Sequence, residues 1–138
     1  MAIETNVGLD TTFLAASDLS GNQFYFVSVN SSGNLVTAGS GVTGPRALGV
    51  LQDTPKGTTS ATVRAQVRYG GISKVIAGGT FAIGDLISSN TTGQAVKYTA
   101  ATNATGFGTA SQVLGIAVLA GVTGDTSSII FSPSGLSE

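Results

Sequence analysis

The ten residues Val27 to Val36, VSVNSSGNLV, return 60 positions later as Ile87 to Val96, ISSNTTGQAV. Each copy sets an Asn-Ser-Ser-Gly or Asn-Thr-Thr-Gly turn between two apolar stretches, the signature of a β-hairpin whose Gly takes the positive-φ place of a short loop. A Leu-Gly-β-branched strand follows each hairpin, Ala47-Leu48-Gly49-Val50 and then Val113-Leu114-Gly115-Ile116, now 66 positions apart. The six additional residues fall in the loop that precedes the second of these strands. Thr62-Val63-Arg64-Ala65 and Ser128-Ile129-Ile130-Phe131 keep the 66-residue offset and close each half. Turns and strands repeated in this order predict an all-β fold, a compact barrel- or sandwich-like domain built from two related hairpin-containing halves.

The chain has 138 residues, enough for one domain that buries about two-thirds of its unfolded surface. The pattern divides it into a short extended N-terminal arm (1–12), a first β repeat (13–69), a second β repeat (70–131) and a polar tail (132–138). Only 9% of the residues are charged while 41% are hydrophobic, so charge alone cannot cover a solitary domain. The composition favours a protein that multimerises or docks on a larger body, against the simpler reading of a neutral Ser/Thr surface. A net charge of −1, with the charges scattered, gives no electrostatic reason to bind nucleic acid or an acidic membrane. No run of about 18 apolar residues occurs that would span a bilayer as a helix, and MAIETNVGLD lacks the basic start of a secretion signal.

Along the chain, Ile3, Val7 and Leu9 alternate with polar residues in the arm, which is suited to pairing with a neighbouring subunit's sheet edge or to fraying. Thr12 to Gly21 reads as a short irregular entry. Phe24 to Val29 reads as a strand apolar on both faces. Gly39-Ser40-Gly41-Val42-Thr43-Gly44 matches a dinucleotide-binding pattern but leads through Pro45 into another strand rather than a helix, so it is read as a loop. Thr62 to Tyr69 alternates cleanly, with Val63, Ala65 and Val67 inward and Arg64, Gln66 and Arg68 outward. Its two arginines form either a solvated face paired with cross-strand carboxylates or a docking patch. Gly70-Gly71 is expected to break the strand before Ile72 to Ala77 resumes it. Lys97 to Gln112 is the longest loop.

The chain has no His and no Cys, which removes the usual general base, the partner of a serine nucleophile and the transition-metal ligands other than carboxylates. No calcium loop is spelled out, Asp18-Leu19-Ser20-Gly21-Asn22 being the nearest. Asp53 and Asp85 are the best candidates for a carboxylate dyad, yet both sit in turns, where Asp ordinarily serves the backbone. No cofactor, catalytic residue or metal site is expected. Three Asn-x-Ser/Thr triplets, at Asn30, Asn90 and Asn103, carry little weight in a chain this rich in such residues.

Taken together, Asp18-Leu19-Ser20 with Phe24-Tyr25-Phe26-Val27, Arg46 through Pro55 (RALGVLQDTP), Ala61-Thr62-Val63-Arg64, Gly71 through Gly79 (GISKVIAGG), Gly84-Asp85-Leu86-Ile87 and Leu114-Gly115-Ile116-Ala117 resemble the small capsid decoration, or cement, proteins of tailed bacteriophages. The resemblance runs over about residues 17 to 131. It implies a non-enzymatic protein made in the host cytoplasm and carried on the outer capsid surface of the virion. There it would bind the major capsid protein, commonly as a homotrimer, and reinforce the head. On that reading Ile3, Val7 and Leu9 of the arm would face the shell or a sister subunit, with Arg64 and Arg68 at the rim. The competing reading is a carbohydrate-binding or adhesive β module of a phage fibre, for which only Tyr25, Tyr69 and Tyr98 offer an aromatic platform.

Overall fold

The computed structural model describes residues 9–40, 45–57, 63–99, 101–102, 108–109 and 112–132. Its hairpins form where the Asn-x-x-Gly turns predict them. Asn30 Oδ1 accepts the N–H groups of Ser32 (2.9 Å) and Asn34 (3.0 Å), and Asn90 Oδ1 does the same for Thr92 and Gln94 (both 2.9 Å). Gly33 and Gly93 complete the turns at φ +78° and +92°. A single side-chain oxygen thus organises each turn, an arrangement that depends on five adjacent residues and so survives in both copies.

The strands are β1 (Leu9–Leu14), β2 (Phe26–Val29), β3 (Leu35–Thr37), β4 (Gly49–Leu51), β5 (Arg64–Ile76), β6 (Leu86–Ser89), β7 (Ala95–Lys97), β8 (Ala101–Thr102), β9 (Gly108–Thr109), β10 (Gly115–Ala117) and β11 (Thr126–Phe131). The described residues contain no helix, and the fold is all-β. The main sheet runs β3-β2-β4-β5-β11-β10-β6-β7, with β1 also on β5, while β8 and β9 pair apart within the long loop. In that order β2, β3 and β4 correspond to β6, β7 and β10, and β11 corresponds to the first part of β5, the part that pairs with β4. The halves are joined by the continuity of β5, since β11 pairs with residues 71–76 of that strand.

β5 belongs to both halves. Its first part pairs with β1 (Leu14↔Arg64 through Asp10↔Arg68), and its second part pairs with β11 (Thr126↔Ile76 through Phe131↔Gly71). Strand β1 is thus the counterpart of the second part of β5, and Leu9–Leu14, partly assigned to the arm by the sequence, is paired within its own chain. The expected break at Gly70-Gly71 does not occur: both glycines stay in the ladder, where their lack of side chains accommodates a local irregularity opposite Leu9. We call residues 9–70 unit one and 71–131 unit two.

The Leu-Gly-β-branched motif has a steric cause. An added Cβ at Gly49 would meet the Val67 side chain and the Arg68 carbonyl oxygen (2.7 Å), and one at Gly115 would collide with the Ile130 carbonyl. Neighbouring backbone lies where a side chain would stand, and only glycine fits.

Each unit has its own core. In unit one Ala15, Leu19, Val27, Leu35, Leu51, Ala65 and Val67 are buried together. Their repeat counterparts Ala77, Phe81, Ile87, Ala95, Ala117, Ser127 and Ile129 are buried in unit two; because Val67 lies opposite Leu51 as Ile129 lies opposite Ala117, β11 follows the first part of β5 by 62 positions and not by the 66 that the sequence suggested. A second set, Phe26, Ala38, Ala47 and Val50 from unit one with Leu114 and Phe131 from unit two, fills the space between the units, the Phe26 and Phe131 rings lying 6.2 Å apart. Burying each large side chain of this kind stabilises by roughly 2 kcal/mol.

Strand β2 starts at Phe26 rather than at Phe24. Phe24 has φ +66°, and the Tyr25 N–H bonds back to the Asn22 carbonyl at 3.0 Å, so the chain turns before it extends. The counterpart position in unit two is Gly84, at φ +88°. A left-handed Phe carries strain that glycine does not, and here it is held by its N–H to Leu51 O (2.8 Å), by Ile76 N–H to its own carbonyl (3.1 Å) and by Lys74 Nζ 5.6 Å above its ring.

Candidate functional site

With the cores inside, what the molecule can do lies on the outer faces of its sheet. On unit one that face is polar. Arg64 and Gln66 project from β5, and Arg68 beside them is paired with Asp10 of β1, Nε to Oδ1 at 2.8 Å and Nη2 to Oδ2 at 3.2 Å. Arg68 Nη1 also reaches the Ile72 carbonyl at 2.9 Å, and Gln66 Nε2 shares Asp10 at 3.3 Å. The expected two-arginine patch thus has one arginine tied to a carboxylate on the adjacent strand, and Arg64 exposed. Leu9 is exposed and lies against Gly70. Ile3 and Val7 lie outside the described residues.

The same face continues onto unit two and changes character. Ile72 of β5 pairs with Ile130 of β11, Ile130 with Ile116 of β10, and Ile116 with Leu86 of β6. Four adjacent strands therefore carry one row of large apolar side chains, and all four are exposed. Between them Leu86, Val113, Gly115, Ile116, Ile130 and Ser132 border a shallow groove of about 290 Å³. At the loop end of the same unit Ile83, Leu119 and Val122 are also exposed, on turns held together by the Phe81↔Gly121 bridge. An exposed apolar row of this kind marks an interaction surface. Sequence reasoning assigned these residues to strands without separating inner from outer; the signal was the counterpart of Ile116, Val50, in a strand apolar at every position.

The carboxylates serve turns. Asp85 Oδ2 accepts the Ala82 N–H at 2.9 Å and Oδ1 faces Lys97 Nζ at 3.1 Å. The Ala82 hydrogen bond first, then that of Lys97, hold its carboxyl below the ordinary aspartate value. Asp18 is lowered too, chiefly by hydrogen bonds from Ser20. Asp53 accepts the Gln66 N–H through both oxygens at 3.2 Å, and Asp125 accepts the Val122 N–H at 3.3 Å. Among the described residues no group of three or more potential metal ligands comes together.

A polar groove of about 530 Å³ runs between the units, lined by residues that include Asn22, Tyr25, Thr92 and Gln94. Tyr98 borders a different groove, beside Lys97 and Ser88, and Tyr69 stands exposed on β5. The three tyrosines therefore form no common platform. One buried polar residue that the sequence left at the end of a loop, Gln112, binds the Ala47 backbone with both ends of its amide: Oε1 accepts the N–H and Nε2 donates to the carbonyl, each at 2.8 Å.

No protein-family model matches this chain, and no curated protein matches it. Among solved structures it is similar to the N base of the head fiber protein gp8.5 of bacteriophage phi29, with a TM-score of 0.60 and 19% sequence identity over 96% of this chain and 99% of that one. The two share a fold along nearly their whole lengths.

Proposed function

We propose that this chain is a non-enzymatic structural protein of a phage head that binds the outer surface of the shell, through the major capsid protein, and stabilises it as a homotrimer. The observation that carries this reading is the end-to-end fold similarity to a head-fiber base, 96% of one chain against 99% of the other. The surfaces agree with it. A rigid sheet with an apolar outer row is suited to packing on other proteins, and the described carboxylates are engaged in turns, as at Asp85, or by a neighbouring strand, as at Asp53 and Asp10. Each contact on a capsid can be weak, because trimerisation and lattice repetition multiply it, and about 800 Å² per partner is an ordinary area for such a contact.

The shell-facing side in this reading is the loop end of unit two, where Ile83, Leu119 and Val122 stand exposed, together with the N-terminal arm, and Arg64 and Arg68 at the rim. The test is sedimentation of purified protein with heads that lack it. Saturable co-sedimentation and greater resistance of the heads to heat are expected, with binding lost in an Ile83→Lys, Val122→Lys double variant. Absence of the wild-type chain from the head fraction would overturn the reading.

A second reading, the base of a fibre projecting from the head, is favoured by the name of the structural neighbour. Electron microscopy of decorated heads separates the two: a low cap on the shell supports decoration, and a density extending outward supports a fibre base.

A further inference from the structure

The two units meet through a contact that is used in one direction. The β6–β7 turn of unit two lies on unit one, where the Phe26 N–H donates to the Gly93 carbonyl at 2.7 Å and Gln94 Nε2 donates to Tyr25 Oη at 3.2 Å. The Gln112 amide on Ala47 adds to the same seam. Beneath this cover the outer-face residues Phe26 and Val50 of unit one are 0% exposed.

The repeat supplies a counterpart for every member. On the covering side Gly93, Gln94, Gln112 and Phe131 correspond to Gly33, Asn34, Arg46 and Tyr69 of unit one. On the covered side Phe26, Ala47 and Val50 correspond to Leu86, Val113 and Ile116 of unit two. These counterparts are not in contact with each other. A Cβ added at Gly33 meets nothing within 4 Å, whereas one at Gly93 meets the Phe26 carbonyl at 2.7 Å. Leu86 and Ile116 are 44% and 46% exposed, and Arg46 and Tyr69 are exposed as well. A two-fold relation between the units would have made the contact twice. It is made once, so the relation is head-to-tail, and the chain carries one unused covering surface on unit one and one unused seat on unit two.

We infer that the seat is filled by a second copy of this chain: unit one of a neighbour lays its Asn30–Gly33 turn and Tyr69 over the exposed Leu86 and Ile116, with Val113 already buried at the floor of the seat, repeating between copies the contact that unit two makes on unit one. Continuity with the internal interface selects the occupant, and Leu86 and Ile116 of the apolar groove hold the positions that the internal copy of the contact buries as Phe26 and Val50. Head-to-tail contacts close into rings or run on as fibres. Three copies would supply six units in a ring; the number three rests on the proposed function, the contact does not.

The chain has no cysteine, so introduced thiols report one site. Thr92 and Asn22, which line the groove between the units, correspond to Ser32 and Ala82. Copies carrying Ser32→Cys mixed with copies carrying Ala82→Cys should be joined pairwise by a short bismaleimide, and the double variant should give a ladder ending at the ring size. Light scattering should show a multimer for the wild type and a monomer with unchanged far-UV circular dichroism for Leu86→Lys with Ile116→Lys. A monomeric wild type, a multimer indifferent to the two lysines, or a missing Ser32–Ala82 crosslink overturns the inference. Head binding distinguishes the two claims: a monomer that still decorates heads removes this contact and leaves the function, while an intact multimer that ignores heads does the reverse.

Discussion

Unit one and unit two share turns, register and buried positions, yet their exteriors diverge. Residues 9–70 carry seven charged side chains and residues 71–131 carry four. Where unit one places the half-buried polar side chains of Gln23 and Asp53, unit two exposes Ile83 and Leu119, and where unit one buries Phe26 and Val50 against its partner, unit two leaves Leu86 and Ile116 open. The inner positions are held by packing, which a repeat must keep in both copies to fold. The outer positions are free to change, and they have changed toward an apolar surface on the unit whose outer face its own chain does not cover. The difference teaches where to look for function: in the residues whose counterparts behave differently.

The sharpest break of the comparison is at its most conserved geometry. Gly49→Ala and Gly115→Ala should each cost about 3 kcal/mol or more, because the new methyl meets backbone that cannot move aside. Gly115, opposed by the Ile130 carbonyl, should be the worse. Denaturant titration reads both, and equal, small effects would mean that the strands are not so closely apposed.

Next comes the seam. Gln112→Ala leaves the buried Ala47 N–H and carbonyl without partners and should lower stability by about 2–3 kcal/mol. Alanine at its counterpart Arg46 should change little, and chemical denaturation of the two variants side by side measures the asymmetry. A smaller contrast separates the turns. Gly33→Ala should cost about 1 kcal/mol for its left-handed backbone alone. Gly93→Ala should cost more, since its methyl also meets the Phe26 carbonyl, and thermal melts would register the difference. If Gly33→Ala proves as costly as Gly93→Ala only at concentrations where the protein is multimeric, the seat proposed on unit two is occupied.

The smallest effect is on acid stability. Asp85 is held below the ordinary aspartate value of 3.8 by the Ala82 hydrogen bond and by Lys97. A depressed carboxyl stabilises the fold above its unfolded value, and that contribution is lost as pH falls through the folded one. Asp85→Asn should therefore flatten the acid limb of a melting-temperature profile by lowering the melting temperature near neutrality, while leaving it little changed below the folded value. Asp18→Asn should do the same for unit one.

Sequence legibility followed the range of the interactions. The Asn30 and Asn90 turns were readable because a few adjacent residues decide them, and Gly49 and Gly115 were visible as a motif although their cause, a neighbouring strand, was not. The pairing of Asp10 with Arg68 was anticipated only as an unspecified cross-strand carboxylate, since the two lie 58 positions apart. The left-handed Phe24 defeated a strand assignment based on its side chain, because tertiary bonds to Leu51 and Ile76 impose the conformation. Gln112 gave no signal, for its partner is a backbone 65 residues away. The candidate surface was hidden for a related reason: hydrophobicity marks Ile116 and Val50 alike, and only the packed structure distinguishes the one left bare.

Strand β5 has a mechanical consequence. Because one continuous segment closes unit one and opens unit two, a force that pulls the halves apart along it cannot peel them open at an end. It must slide β11 past β5 and break the six paired positions from Thr126 to Phe131 together. Antiparallel strands loaded in this lengthwise direction resist as a group, as the six-position β1–β5 ladder also would, whereas the two- and three-residue ladders of β2, β3, β4, β6, β7 and β10 would yield rung by rung. In the proposed role on a capsid, where outward pressure would load the chain laterally, a spine that runs unbroken through both halves would carry that load.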